Sequence, residues 1–268
     1  VVVVGSGLSM VDIVSSLWVA GFPGPVLSIS RRGLVPRMHV LAAPWRLREV
    51  DPLGDAPLSE KLRALRAEIR AAASAGVPWQ SVIDALRPQT AAAWRRWPKA
   101  EQERFLRHLR PWWDVHRHRM APPIGQQFRD LVTRGFLRVE AGHVTELAER
   151  DGSALVRWVR RGRAETCSIE AQRVIVATGA PPAAHAGDTL LSRLLEAGEA
   201  RLDGHGLGLD VTDGFAVIRP DGTTSSGLWA LGPIARGTFW ECTAVPDIRR
   251  DAEAVADVVA ARFPRAEP

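Results

Sequence analysis

Four consecutive valines run straight into Gly5-Ser6-Gly7, and no other feature of this sequence constrains the fold as tightly. An unbroken β-branched run reads as a strand buried on both faces, the situation of a parallel sheet covered on each side. A glycine directly after the strand allows a sharp turn, and a second one two residues later leaves room for a ligand to approach the backbone. The following residues, Met10 to Ala20, have helical texture, so the helix would aim unpaired N–H groups and its positive dipole end at the turn. After a turn over Gly21 to Pro25, Val26 to Ser30 reads as a second strand. Strand, glycine turn, helix, turn, strand is half of a Rossmann-like, doubly wound α/β unit. The usual third glycine is Met10 here, which removes the residue that ordinarily permits close packing of helix on strand.

The end of the second strand carries the next signal. Sites for NAD or FAD usually place an acid there, on the adenosine ribose, whereas this chain has Ser30-Arg31-Arg32. Guanidinium groups offer a planar fork that suits a phosphate, so these residues favour the 2′-phosphate of NADPH over the bare ribose of NADH. The alternative is a pair of solvated arginines on a basic surface. Arginine supplies almost all of the net charge of +5, since Lys61 and Lys99 are the only lysines. No nucleic-acid module accompanies that charge, so phosphate-bearing cofactors are the expected partners and nucleic acid is not.

From Met38 to Gly135 the texture changes to Ala, Leu, Arg and Trp at helical spacing, with breaks expected at Gly76-Val77-Pro78, Pro88, Pro98, Pro111 and Pro122-Pro123. Strand signals return in Phe136 to Glu140, His143 to Ala148, Ala154 to Arg160 and Thr166 to Ile169. They lead into Arg173 to Gly179, an apolar run ending in Ala177-Thr178-Gly179. Gly227 to Pro233 repeats that form, and each of these two runs reads as a parallel strand whose end must let a ligand come close. Asp247 to Phe263 reads as a closing helix. The expected organisation is a nucleotide-binding half over residues 1–39, a helical insertion over 40–135, strands returning to the core over 136–180, and a second cofactor-binding part over 181–268.

Taken together, Gly5-x-Gly7, Val174 to Gly179 and Leu228 to Pro233 resemble the two-dinucleotide-binding-domain flavoproteins, a superfamily that includes glutathione reductase-like enzymes and flavin monooxygenases. The tracts Arg110 to Pro122 and Phe239 to Arg249 look like those of a bacterial family of FAD/NAD(P)-binding proteins with few assigned reactions, over essentially the whole chain. The resemblance implies a soluble, cytoplasmic oxidoreductase using NADPH and FAD on a small-molecule substrate. It implies NADPH at Gly5, Ser6, Gly7, Leu8, Ser9, Ser30, Arg31 and Arg32, a crossing between cofactor domains at Thr178 and Gly179, and flavin contacts at Gly232, Pro233, Thr243, Ala244 and Val245. Pro233 replaces an Asp that much of the superfamily uses on the flavin side chain. The resemblance also implies an earlier glycine-rich FAD turn ahead of Val1, so this chain is expected to be the later portion of a longer flavoprotein.

Other constellations are weaker. His108, Asp114, His116 and His118 match no zinc spacing, so no metal is expected; Trp112 and Trp113 are expected to pack while His116, Arg117 and Arg119 face solvent, phosphate or substrate. Glu241 beside Cys242 offers an acid or a thiol near the flavin turn, but with Cys167 far away in sequence no redox dithiol forms. No Gly-x-Ser-x-Gly elbow is present, and no apolar run is long enough to span a bilayer. A non-catalytic dinucleotide sensor is the alternative to an enzyme, motivated by Met10 and Pro233.

Overall fold

The computed structural model describes residues 1–48, 54–179 and 189–262. They fall into two compact units, one of Val1–Pro44, Ala73–Asp84 and Arg107–Gly179, the other of Trp45–Ala72, Ala85–Leu106 and Ala180–Pro268.

The first unit is the α/β Rossmann-type layer expected from the glycine turn. Strand β1 (Val2–Val4) leads into helix α1 (Leu8–Val19) and strand β2 (Val26–Ser30). The long β3 (Leu137–Arg150) continues the sheet, followed by β4 (Ser153–Arg160), β5 (Thr166–Ala171) and β6 (Val174–Val176). The order is β5-β4-β3-β2-β1-β6, with β3, β2, β1 and β6 parallel and β4 and β5 forming an antiparallel meander. Alternation of the strand residues explains the valine run. Val3, Val26 and Leu137 pack on one face against Met10, Val11 and Val14 of α1 and Phe128 and Leu131 of helix α6 (Pro122–Thr133). Val2, Leu27 and Ile29 face the other way and are covered by Val156 and Trp158 of the meander, which curls back over them. Burial of each such side chain contributes roughly 1.5–3 kcal/mol.

Residues between β2 and β3 form the crossover and hold the helical segment: α2 (Leu58–Ser74), α3 (Trp79–Arg96), α4 (Lys99–Arg104), a π-helical stretch over Phe105–Leu109, α5 (Arg110–Arg117) and α6. Residues 49–53, inside this segment, lie outside the described residues. Pro88, expected to break a helix, sits inside α3. A mid-helix proline costs about 3 kcal/mol, offset here by the buried stripe Val82, Ile83, Leu86, Ala93 and Trp94. Pro111, by contrast, follows the π-helical stretch and stands in the first turn of α5.

Two strands expected over Phe136–Glu140 and His143–Ala148 are one strand, β3, running through Gly142 with a register shift between Val144 and Glu146. Gly142 is a packing slot and not a break: an added Cβ would come within 2.8 Å of Trp158 Cδ1 and 2.9 Å of the Val159 oxygen.

The second unit contains α7 (Leu190–Glu196), β7 (Ala216–Ile218), β8 (Thr224–Trp229), a 3-10 turn over Gly232–Ala235 and α8 (Val245–Arg262). Its core gathers Val211, Phe215, Val217, Ala230, Ala235, Phe239 and Cys242. The reading of Gly227 to Pro233 as a parallel strand is corrected: β8 pairs antiparallel with β7 in a two-stranded sheet. A hairpin register, not a crossover, therefore precedes Gly232. Phe263, the expected end of the closing helix, lies outside the described residues.

Candidate functional site

The parallel register sets the first cluster. Val4 stands level with Ile29 on one side and Val176 on the other, so the carboxyl ends of β1, β2 and β6 open on one edge of the sheet. Gly5 and Ala177 follow the ends of β1 and β6, and Ser30 is the last residue of β2. This is the edge at which open α/β sheets bind ligands.

Gly5 has φ of +122°, and a Cβ there would overlap the Ala177 carbonyl oxygen and lie 3.2 Å from the Thr178 nitrogen. Its N–H donates to the Ile29 oxygen at 2.8 Å, and its carbonyl accepts from Ser28 Oγ at 2.9 Å. Ser28, fully buried, is a site residue the sequence reading missed, although a lone hydroxyl in the apolar strand Val26-Leu-Ser-Ile was a usable signal. Gly7 differs in kind from Gly5. It is the N-cap of α1 at φ −81°, no side chain caps the helix there, and the first turn carries no acid. Its chain neighbours and own helix aside, no atom of the described residues lies within 4 Å of where a Cβ on Gly7 would be. The leading N–H groups of α1, on the exposed residues Leu8 and Ser9, thus meet open space. Met10 takes the place of the third glycine by burying completely in the core between helix and sheet.

Ser6 and Ser30 are drawn together. Ser6 Oγ donates to the Leu34 oxygen at 2.6 Å and lies 2.7 Å from Ser30 Oγ. Because each hydroxyl has one proton, Ser30 is the donor between the two serines. Ser30 Oγ also accepts from the Gly33 N–H at 3.1 Å. Arg31 is exposed, whereas the Arg32 guanidinium donates to the Arg107 carbonyl at 3.3 Å. Thr178 and Gly179 are exposed, Gly179 at φ of +88°, where the first unit ends.

The second cluster is in the second unit. Gly232 is buried at φ of +74°, and a Cβ on it would stand 3.8 Å from Ile248 Cγ1 and 4.0 Å from the Cys242 oxygen. The turn therefore lies close to Cys242 and Ile248, which flank Thr243 to Val245 in sequence. Pro233, exposed, opens the 3-10 turn. The Ala244 carbonyl accepts from Asp247 N at 2.9 Å and Ile248 N at 3.0 Å and so starts α8, with Val245 79% exposed at its tip. Asp247, in the first turn and buried, takes Arg87 at 2.7 Å and Arg250 at 3.5 Å, so α8 has its own carboxylate near its positive end. The uncapped α1 does not.

Cys242 is fully buried, and burial pushes its thiol up to about 12. It is no thiolate at neutral pH, which removes it from flavin chemistry. The histidine tract is also reassigned. His116 Nδ1 sits 2.7 Å from the Trp112 oxygen within α5, its ring edge-on to Trp79 at 4.9 Å, and Arg119 pairs with Asp84 with its side chain only 7% exposed. These two side chains pack instead of facing solvent, and Trp112, expected to pack, is 44% exposed. Among the described residues no group of three or more His, Cys, Asp or Glu is placed to hold a metal, and no helix is long and apolar enough to cross a membrane.

No protein-family model matches this chain, and no curated protein sequence does. Solved structures do match. The ornithine hydroxylase (PvdA) of Pseudomonas aeruginosa aligns with 98% of the chain at a TM-score of 0.60 and 12% identity, over 52% of its own length. The ornithine N-hydroxylase of Kutzneria sp. 744, in a structure with reduced FAD, NADP⁺ and L-ornithine, aligns with 97% at 0.58 and 14%, over 53% of its length. The L-lysine 6-monooxygenase of Pseudomonas syringae aligns with 99% at 0.57 and 14%, over 54%. At such identities the likeness is one of fold. The chain spans about half the length of these hydroxylases and has the α/β fold of that half.

Proposed function

We propose that this chain belongs to an NADPH-dependent flavin oxidoreductase, with the NADPH pyrophosphate at Gly5 to Ser9 and FAD against Gly232, Pro233 and Thr243 to Val245. One observation carries the reading: the N-terminus of α1 has no side-chain cap, no first-turn acid and open space at Gly7, at the carboxyl edge of three parallel strands. An anion is what such an arrangement accommodates. The residues present fit a dinucleotide. Leu8 and Ser9 would donate backbone N–H groups to phosphate, Gly7 would let it approach, and the Ser30 to Arg32 turn would meet a 2′-phosphate. In the second unit, Gly232 and the exposed N–H of Val245 are the groups available to the flavin.

FAD, when bound, supplies the acceptor for the hydride of NADPH and then the electrons for reducing or oxygenating a small substrate. The chain's own part is binding, orientation and electrostatics; Cys242 takes no proton or electron. The fold likeness to hydroxylases of ornithine and lysine makes small primary amines the first substrates to test, and a cytoplasmic setting suits NADPH as reductant.

The test is spectroscopic. The purified intact parent protein should be yellow, should lose that colour with NADPH under anaerobic conditions, and should recover it in air, with NADPH consumption increased by the right amine. A second reading, a dinucleotide sensor without turnover, is favoured by Pro233 in the place of the flavin-binding acid. A colourless protein that binds NADPH and never oxidises it would establish the sensor; one that binds neither nucleotide nor flavin would end both readings.

A further inference from the structure

We infer that Ser6, inside the glycine turn, is a positioning residue for nucleotide discrimination: it holds the Ser30 to Leu34 turn in place so that Arg31 meets the 2′-phosphate. The inference rests on the proposed placement of NADPH at Gly5 to Ser9 and deepens it.

Hydroxyl protons carry the argument. Ser6 is 8% exposed, and its proton is used on the Leu34 oxygen at 2.6 Å. The Ser30 proton is then used on Ser6 Oγ at 2.7 Å, and one Ser30 lone pair takes the Gly33 N–H at 3.1 Å. A phosphate dianion needs donors, and Ser30 has none left to give. It cannot be the phosphate ligand that its position suggests. What remains for that task is Arg31, exposed and without a hydrogen bond or ion pair among the described residues, while Arg32 has one donor on the Arg107 carbonyl.

The turn itself is built for a fixed shape. Gly33 is at φ of +61°, and a Cβ there would lie 3.1 Å from the Ala141 side chain and 3.2 Å from the Ala141 nitrogen. From below, the turn is seated on Ala141 within β3; from the side, Ser6 ties it at Ser30 and at Leu34. The same residue stands between the two glycines of the pyrophosphate turn. Ser6 thus joins the part of the site that would read the pyrophosphate to the part that would read the 2′-phosphate. Fixing the loop beforehand removes an ordering cost from binding.

Adenosine 2′,5′-bisphosphate and 5′-AMP differ only in the 2′-phosphate, and their binding by calorimetry needs no flavin and no turnover. Wild type should bind the bisphosphate more tightly. Ser6→Ala should lower the ratio of bisphosphate to 5′-AMP affinity about two- to tenfold, the range of one or two neutral hydrogen bonds. Ser30→Ala, at a less buried position, should show the same selective loss and keeps the test open if Ser6→Ala fails to fold. Arg31→Ala sets the scale by removing the excess affinity altogether. Equal losses for both ligands in the serine variants, or no loss, overturn the inference while leaving the site. A wild type that prefers neither ligand overturns the 2′-phosphate assignment and the inference with it. Binding of neither ligand overturns the placement of the nucleotide.

Discussion

Gly5 and Ala177 are in direct backbone apposition: the Ala177 oxygen occupies the space that a side chain on Gly5 would need, and the Ala177 N–H donates to the Val4 oxygen at 2.7 Å. The turn after β1 and the end of β6 are therefore one construction, although Gly5 and Ala177 stand 172 positions apart in sequence. The first glycine is needed by the fold itself, and only the second faces open space.

That difference separates the two glycines experimentally. Gly5→Ala combines a collision with the Ala177 oxygen and a φ of +122°, which L-residues rarely adopt. Strain of that kind costs of order 1–3 kcal/mol before the collision is counted, so the variant should lose several degrees in Tm or fail to fold. Gly7→Ala has an ordinary φ of −81° and free space around it. Thermal melts should show it as stable as wild type, while titration with NADPH shows a loss of tenfold or more, about 1.4 kcal/mol, because the methyl stands where the phosphate would approach. Unchanged NADPH affinity in Gly7→Ala would place the nucleotide elsewhere.

Arg32 should matter less than Arg31 for the 2′-phosphate, because one donor of its guanidinium is already on the Arg107 carbonyl at 3.3 Å. Arg32→Ala should change the NADPH-to-NADH affinity ratio about two- to threefold. Arg31→Ala should change that ratio by tenfold or more, in the range of a charge-assisted hydrogen bond. Measured affinities for both nucleotides in the three proteins decide the matter; a larger effect from Arg32→Ala than from Arg31→Ala would reverse the assignment.

How far the sequence foretold this arrangement depends on what each residue answers to. Val1 to Gly7 and Val174 to Gly179 were legible because local rules decide them: β-branched runs make strands, and glycines follow them at the turns. That Phe136–Glu140 and His143–Ala148 join into one strand was not legible, since Gly142 between them answers to the Trp158 ring on the neighbouring strand. Pro88 misled because tertiary burial of Leu86, Ala93 and Trp94 outweighs its helix penalty. The bond between Ser6 and Ser30 could not be read at all. It exists only once Val4 is placed level with Ile29, and register between strands is not written in either strand alone.

Cys242 should be chemically silent. With its thiol pushed up to about 12 by burial, the thiolate fraction at pH 7.5 is of order 10⁻⁴ or below. A thiol reagent on the native protein should label Cys167 alone, which is half-buried, and should reach Cys242 only after denaturation. Cys242→Ala should leave any NADPH-driven flavin reduction at the wild-type rate. Rapid native labelling of Cys242, or loss of reduction in the variant with its Tm preserved, would bring the thiol back into the mechanism.

Two buried carboxylates should act on stability with opposite signs. Glu68 feels burial, which would raise it, but hydrogen bonds from Trp45 Nε1 at 2.8 Å and from the Arg48 N–H and guanidinium outweigh burial and hold it below its ordinary value. A depressed carboxylate stabilises the fold above the unfolded value near 4.5, and that contribution disappears as pH falls through the folded value. Asp251 is raised, first by burial and further by the like charge of Asp247, with Arg250 offsetting only part. Its contribution runs the other way: it is intact below the unfolded value near 3.8 and is lost as pH rises through the folded one, so at neutral pH the ionised group strains the fold. Glu68→Gln should accordingly lower Tm at pH 7, and Asp251→Asn should raise it. Melts repeated down to pH 3.5 should show both differences shrinking toward zero. An Asp251→Asn protein less stable than wild type at pH 7 would mean that the bond from Arg250 at 3.4 Å outweighs the burial of the charge.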